Sequence, residues 1–319
     1  MSGPQALRCR IGSLELDSPL LTGSGTFGHD GLVTRFLQPG DLGALVIKTV
    51  TPAPRGGNPP PRLVETPAGL LNSIGLENRG VDAFIAETVP LLRELSKPPR
   101  AIPVVANAGG ESVDEYVHMV RSLDRTEAFA AIEVNLSCPN VQGGALPFAT
   151  SAEAVARVIE ACRSCTERPL WAKLSPNVAR LGPIAQAAER AGADALTVAN
   201  TLLGLVVDWR RRRPVLGAGF GGLSGPAIRP VAMRMVWEAR QAVDLPIVAS
   251  GGAATAEDVM EFVTAGASAV QIGTAGFQRP DLISRIAADL RALLKQEGTD
   301  LESQCGSLQW PSPAASGKV

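Results

Sequence analysis

Cysteine, histidine and net charge are all scarce in this chain of 319 residues. Five cysteines are too few, and odd in number, for a disulfide scaffold, so a reducing, cytoplasmic setting is expected. With His29 and His118 alone, a histidine-rich metal centre has too few ligands. Thirty basic residues against 31 acidic ones leave a formal charge of −1, and such a balance gives no field to gather nucleic acid or anionic lipid. Small ligands are the expected partners. Positions 1–16 contain Arg8, Arg10 and Glu15 and no continuous apolar stretch, so neither a signal peptide nor a membrane anchor is expected. Glycine and proline, 33 and 25 residues, stay below the share that marks disorder, and 45% hydrophobic residues suffice for a sizeable core.

What the chain does have is a rhythm. Eight short apolar runs, at residues 19–23, 44–50, 102–108, 131–138, 170–175, 195–200, 246–250 and 269–273, are each bounded by Gly, Pro or Asn. Helical spacing separates them, with start signals at Ser112-Val-Asp-Glu115, Ser151-Ala-Glu and Thr255-Ala-Glu-Asp258. Strands alternating with helices imply a parallel sheet, and continuous apolar strands imply burial on both faces. Eight such units predict a (β/α)8 TIM barrel of the α/β class, with a doubly wound open sheet as the alternative. One domain over residues 1–297 is expected, with long loops after strands 2, 4 and 6 at 51–78, 139–150 and 202–228. Residues 298–319, rich in Ser, Gly and Pro, read as a mobile tail.

In a barrel the working face is the C-terminal rim of the strands, and that rim is polar in this chain. Ser24, Lys48-Thr49, Asn107, Asn135, Cys138, Lys173 and Asn200-Thr201 all stand at strand ends. Single Asn or Thr residues there are ordinary turn and cap chemistry. Two lysines are not, because a desolvated ammonium is costly unless an anion or electron-rich ligand faces it. Gly251-Gly252 and Gly273-Thr274 end strands 7 and 8, where glycine backbone and a helix N-terminus commonly hold phosphate. Cys138, in Asn135-Leu-Ser-Cys-Pro-Asn140, is either a packed thiol or a base that needs activation.

Three patterns carry less. Gly217-Ala-Gly-Phe-Gly-Gly222 fits a dinucleotide fingerprint but lacks a preceding strand. Cys162-Arg-Ser-Cys165 lies late in a helical pattern with no second pair. Arg210–Arg213 reads as a solvated basic loop that could also dock a partner.

Taken together, Gly23-Ser-Gly25, Ile47-Lys-Thr49, Asn72-Ser-Ile-Gly-Leu76, Asn135-Leu-Ser-Cys-Pro-Asn140, Lys173-Leu-Ser-Pro-Asn177, Asn200-Thr-Leu-Leu-Gly204, Gly222-Leu-Ser-Gly-Pro226 and Gly266-Ala-Ser-Ala-Val-Gln-Ile-Gly-Thr274 resemble the dihydroorotate dehydrogenase family, in particular its NAD-linked class 1B catalytic subunits. The resemblance runs from about Leu14 to Leu294. It implies a cytoplasmic flavoprotein that oxidises dihydroorotate to orotate in pyrimidine biosynthesis. It also implies FMN against Ser24, Lys48, Thr49, Asn107, Asn135, Lys173 and Ala199, with phosphate near Gly225, Gly251, Gly252, Gly273 and Thr274. Substrate would meet Lys48, Asn72, Ser73, Ile74, Gly75, Leu76, Asn135, Asn200 and Thr201, and Cys138 would be the general base. Such enzymes pass electrons to NAD through a second subunit carrying FAD and a [2Fe–2S] cluster, in a heterotetramer built on a homodimer core. Alternatives are a paralogue acting on another dihydropyrimidine, a barrel lyase forming a Schiff base at Lys48 or Lys173, and a binding subunit without turnover.

Overall fold

The computed structural model describes residues 7–28, 35–38, 40–98, 101–136 and 150–311. All eight expected runs hold barrel strands: β1 Leu20–Thr22, β2 Leu45–Val46, β3 Val104–Ala108, β4 Ala131–Asn135, β5 Leu170–Lys173, β6 Ala195–Val198, β7 Ile247–Ser250 and β8 Ala269–Ile272. They pair in parallel in sequential order, and β8 lies beside β1. The β1–β2 seam closes the cylinder through a Leu21–Ala44 bridge and a bond from Gly43 N to Leu20 O at 2.8 Å. An open doubly wound sheet is thereby excluded. Thr22 completes the seam with its side chain. Its hydroxyl oxygen accepts from Val46 N at 2.7 Å and donates to Val46 O at 3.0 Å, in place of a backbone partner.

Seven helices follow β2 to β8 among the described residues. The first is composite, Val81–Ala83, a π-turn at Phe84–Thr88, and Val89–Leu95 (α1). Then come α2 Val113–Asp124, α3 Ala152–Arg163, α4 Gly182–Arg190, α5 Arg229–Ala242, α6 Ala256–Thr264 and α7 Leu282–Glu297. The expected starts of α2, α3 and α6 are capped by Ser112, Ser151 and Thr255, each worth about 1 kcal/mol. Inside the barrel the lower layers are apolar, with Leu21, Val46, Val105, Trp171 and Val248 packed on Ile11 and Leu16. Those last two belong to an antiparallel hairpin, Cys9–Ile11 with Leu14–Leu16, which underlies that layer.

Two of the predicted long loops contain strands. Leu63–Thr66 and Gly69–Asn72 form a hairpin, and Gly221–Ser224 and Leu202–Gly204 extend it into one antiparallel four-stranded sheet. Gly222, the last glycine of the dinucleotide-like pattern, is a strand residue paired with Asn72 and Leu203. Of the 139–150 loop, only Thr150 lies within the described residues. The described part of the tail expected at residues 298–319 makes contacts of its own. Through residue 311 it packs on the barrel: Leu301 is buried, Gly306 and Leu308 donate to Val263 O and Thr264 O, and Trp310 stacks on Trp237 at 4.1 Å. Its polar composition concealed these apolar anchors.

Candidate active site

Alternation along the strands turns every second side chain inward. Above the apolar layers this brings Asn107, Glu133, Lys173, Thr197 and Gln271 to one level inside the barrel, all buried. The rim above them surrounds a cavity of about 250 Å³. It is lined by Ser24, Lys48, Thr49, Asn72, Ile74, Gly75, Leu76, Asn135, Lys173, Ala199, Asn200, Thr201, Gly225, Gly251, Gly252, Gly273 and Thr274. Nearly every residue expected at the site therefore meets in one space.

Three do not line it. Asn107 lies below, fully buried, with its carbonyl taken by the Thr49 hydroxyl at 2.5 Å and its amide nitrogen donating to Glu133. Ser73 is buried behind the wall and accepts from Asn58 Nδ2 at 2.8 Å. Cys138 lies outside the described residues, and β4, which leads towards it, ends at Asn135 on the cavity.

The lysines differ. Lys173 has 5% of its surface exposed, and its ammonium stands 3.6 Å from a Glu133 oxygen. Lys48 is half-buried and donates to Glu77 O at 2.5 Å. Burial pushes its ammonium below the ordinary lysine range, with Glu77 opposing that shift and Arg62 adding to it. Ser24 is pinned to the neighbouring strand by donating to Ile47 O at 2.9 Å. The segment 72–76 is fastened from behind, since Asn58 N donates to Ile74 O at 3.0 Å and Ser73 N to Arg62 O at 2.8 Å. Leu76 there has a left-handed φ of 55°, a backbone state uncommon outside glycine.

At the other end of the cavity, Gly225 precedes the 3-10 turn Pro226–Ile228 that leads into α5. Gly252 has φ +85°, and a Cβ there would stand 2.8 Å from Gly225 O, so the two segments meet backbone to backbone. At Gly273 an added Cβ would meet only the Thr26 methyl, at 3.6 Å. Packing alone does not require glycine at 273, and its bare backbone leaves that end of the cavity open.

The sequence reading missed Glu133 and the cavity-lining Ser224, Gln271 and Phe277. Glu133 had a signal, a charged residue inside an otherwise apolar strand. The minor motifs do not line the cavity. Cys162 is buried in α3, and burial pushes its thiol up to about 12. No cluster of metal-ligating side chains occurs among the described residues. Residues 210–213 are exposed, with the Arg210 guanidinium over the Trp209 ring at 4.4 Å and Arg211 paired with Asp208. No helix among the described residues is long and apolar enough to cross a membrane.

Comparison with known proteins agrees with this geometry. The chain is 47% identical over 305 residues to the dihydroorotate dehydrogenase B (NAD(+)) catalytic subunit of Trichlorobacter lovleyi, covering 95% of this chain and 99% of the relative. It is 49% identical over 288 residues to the protein of the same name from Desulforudis audaxviator, covering 90% and 92%. The crystal structure of DHODH in complex with ferulenol from Eimeria tenella superposes with a TM-score of 0.80 at 23% identity, over 95% of this chain and 88% of that one, and shares the fold. A sequence profile of dihydroorotate dehydrogenase matches residues 6–294. A closed eight-stranded barrel with a glycine-rich, two-lysine mouth, matched over nine-tenths of its length by such relatives, belongs to the dihydroorotate dehydrogenase family.

Proposed function

We propose that this chain is the catalytic subunit of an NAD-linked dihydroorotate dehydrogenase, with FMN bound at the barrel mouth. The observation that carries the reading is the cavity itself, which joins a glycine-built end to an end lined by amides and ammonium groups.

The residues present fit the cofactor. Bare backbone at Gly273, with Gly225, Gly251, Gly252 and Thr274 around it and the entry to α5 nearby, suits a phosphate. Ser24, Thr49, Asn135, Lys173 and Ala199 would face the ring. FMN supplies the acceptor for a hydride, which none of these side chains can provide. Lys173 would place positive charge beside the ring.

The chain's own residues would do the rest. Oxidising the bond between two saturated carbons beside a carbonyl requires removal of the acidic proton from one carbon, and Cys138 would take it. Asn72, Asn135 and Asn200 would hold the ring amides and carboxylate, and Lys48 would pair with the carboxylate. The strap 72–76, fastened from behind by Asn58 and Arg62, would keep the substrate against the floor and exclude water. The Schiff-base alternative is disfavoured at Lys173, whose ammonium is ion-paired inside the barrel.

Electrons would leave for NAD through a partner subunit carrying FAD and a [2Fe–2S] cluster, in a heterotetramer with a homodimer core. The excursion after β6 supports a docking role, with Leu203, Leu205, Val207, Trp209 and Phe220 all exposed.

Substitution of Cys138 by alanine tests the assignment. Dihydroorotate turnover should fall about 10²–10⁴-fold while the protein stays yellow. Near-normal turnover would remove the thiol from the mechanism, and a wild-type chain that takes up no FMN would remove the function.

A further inference from the structure

Glu133, at the centre of β4, has no exposed surface and no place in the mechanism above. An ionised carboxylate at such a depth is costly unless its lone pairs are engaged and a counter-charge lies near. Both conditions are met. Oε1 accepts from Asn107 Nδ2 at 2.5 Å and faces the Lys173 ammonium at 3.6 Å. Oε2 accepts from the Thr197 hydroxyl at 2.6 Å and from Gln271 Nε2 at 3.0 Å. Every partner donates, which is the arrangement the ionised form requires.

The effect spreads outwards to the cavity wall. Because Asn107 gives its amide hydrogens to Glu133, its carbonyl oxygen faces Thr49 and receives the hydroxyl proton at 2.5 Å. The Thr49 oxygen then accepts from Asn135 Nδ2 at 3.2 Å. Asn135 Oδ1 accepts from Asn200 Nδ2 at 3.3 Å, and Asn200 Oδ1 accepts from Thr201 N at 2.8 Å. An amide offers both a donor and an acceptor and can turn around among neutral partners. A carboxylate only accepts, so it fixes the sense of the whole relay.

We propose that Glu133 is a positioning residue of this site, acting as the counter-charge of Lys173 and as the anchor that sets the direction of the Asn107–Thr49–Asn135–Asn200 relay. The proposal rests on the flavin reading, in which Lys173 faces the ring and Asn135 and Asn200 face the substrate.

The test uses the full chain as wild type, Glu133→Gln, Lys173→Met and the double variant, with Thr197→Val as a control that disturbs the same layer without changing its charge. Thermal unfolding of flavin-free protein reads the pair directly. Each single change leaves one buried charge uncompensated and melts below the wild type, and the double variant regains part of the loss. In FMN-loaded protein, Glu133→Gln removes a negative charge and shifts the reduction equilibrium at least tenfold towards reduced flavin, a rise of about 30 mV for a two-electron couple. It also weakens orotate binding at least tenfold, read from the flavin absorbance, while Thr197→Val leaves the potential at the wild-type value. Additive melting losses, an unchanged or lowered potential in Glu133→Gln, or an equal shift in Thr197→Val each overturn the proposal. Failure of the function reading looks different: the wild type itself then takes up no FMN, and the relay loses its role although the melting cycle still reports the ion pair.

Discussion

Alanine at Gly252 probes the glycine-built end of the cavity, where we propose that phosphate binds, without altering charge. At φ +85° an L residue is disfavoured by roughly 1–2 kcal/mol. The new Cβ would stand 2.8 Å from Gly225 O, 2.8 Å from Arg229 Cβ and 3.0 Å from Arg229 N. Two of those atoms are backbone of the cradle and its helix entry, so no side-chain rotation relieves the contact, and overpacking adds about 1–3 kcal/mol. The sum is about 2–5 kcal/mol. Unfolding entropy near 2.1 cal/mol/K per residue makes this a drop of about 3–8 °C in the Tm of flavin-free protein. If about 2 kcal/mol of it reappears as distortion of the cradle, FMN binding weakens roughly 30-fold. Calorimetry and a flavin-fluorescence titration measure the two effects. A Gly252→Ala protein that melts within a degree of wild type and binds FMN within threefold would refute the cradle argument.

Three further outcomes are expected. Thr22→Val strips both seam partners from Val46, leaving a buried N–H and C=O unpaired at about 1–3 kcal/mol each, so urea unfolding should show a loss of about 2–6 kcal/mol; a loss under 0.5 kcal/mol would mean that the seam is closed by other contacts. Burial lowers the Lys48 proton affinity, so between its folded pKa and 10.5 the unfolded chain binds the extra proton and stability from this group rises with pH. The wild type should therefore gain on Lys48→Met in urea midpoint as the pH climbs towards 10.5, whereas parallel profiles would contradict the shift. Finally, the Cys162 thiol, pushed up to about 12 by burial, should resist iodoacetamide at pH 8 in the native protein and react once urea unfolds it. Rapid native labelling identified by peptide mapping would show that α3 opens locally.

The barrel was legible because its strands are buried on both faces, which turns each into an unbroken apolar run such as residues 104–108 or 131–135. The rim residues were legible for a related reason: a barrel carries every strand end to one face, so Lys48, Asn135, Lys173 and Asn200 had to meet. The antiparallel sheet was not. Its strands are three or four residues long and glycine-rich, and Asn72 pairs with Gly222 across 150 residues of chain, a contact that leaves no periodic trace. The end of the chain was hard to read for the opposite reason. A Ser-, Gly- and Pro-rich composition describes a loop on average and gives no sign that Leu301 is buried or that Trp310 stacks on Trp237.

That non-local pairing constrains how the enzyme can change. Asn72 donates to Gly222 O at 3.1 Å, and Leu71 lies in register with Leu223, so the strap over the cavity is woven into the excursion that leaves the barrel after β6. An insertion that slipped Gly221–Ser224 by one residue would carry Gly222 O away from the Asn72 amide that donates to it, although nothing within ten residues of Asn72 had altered. Evolution and protein engineers alike must edit these two distant stretches as one fabric.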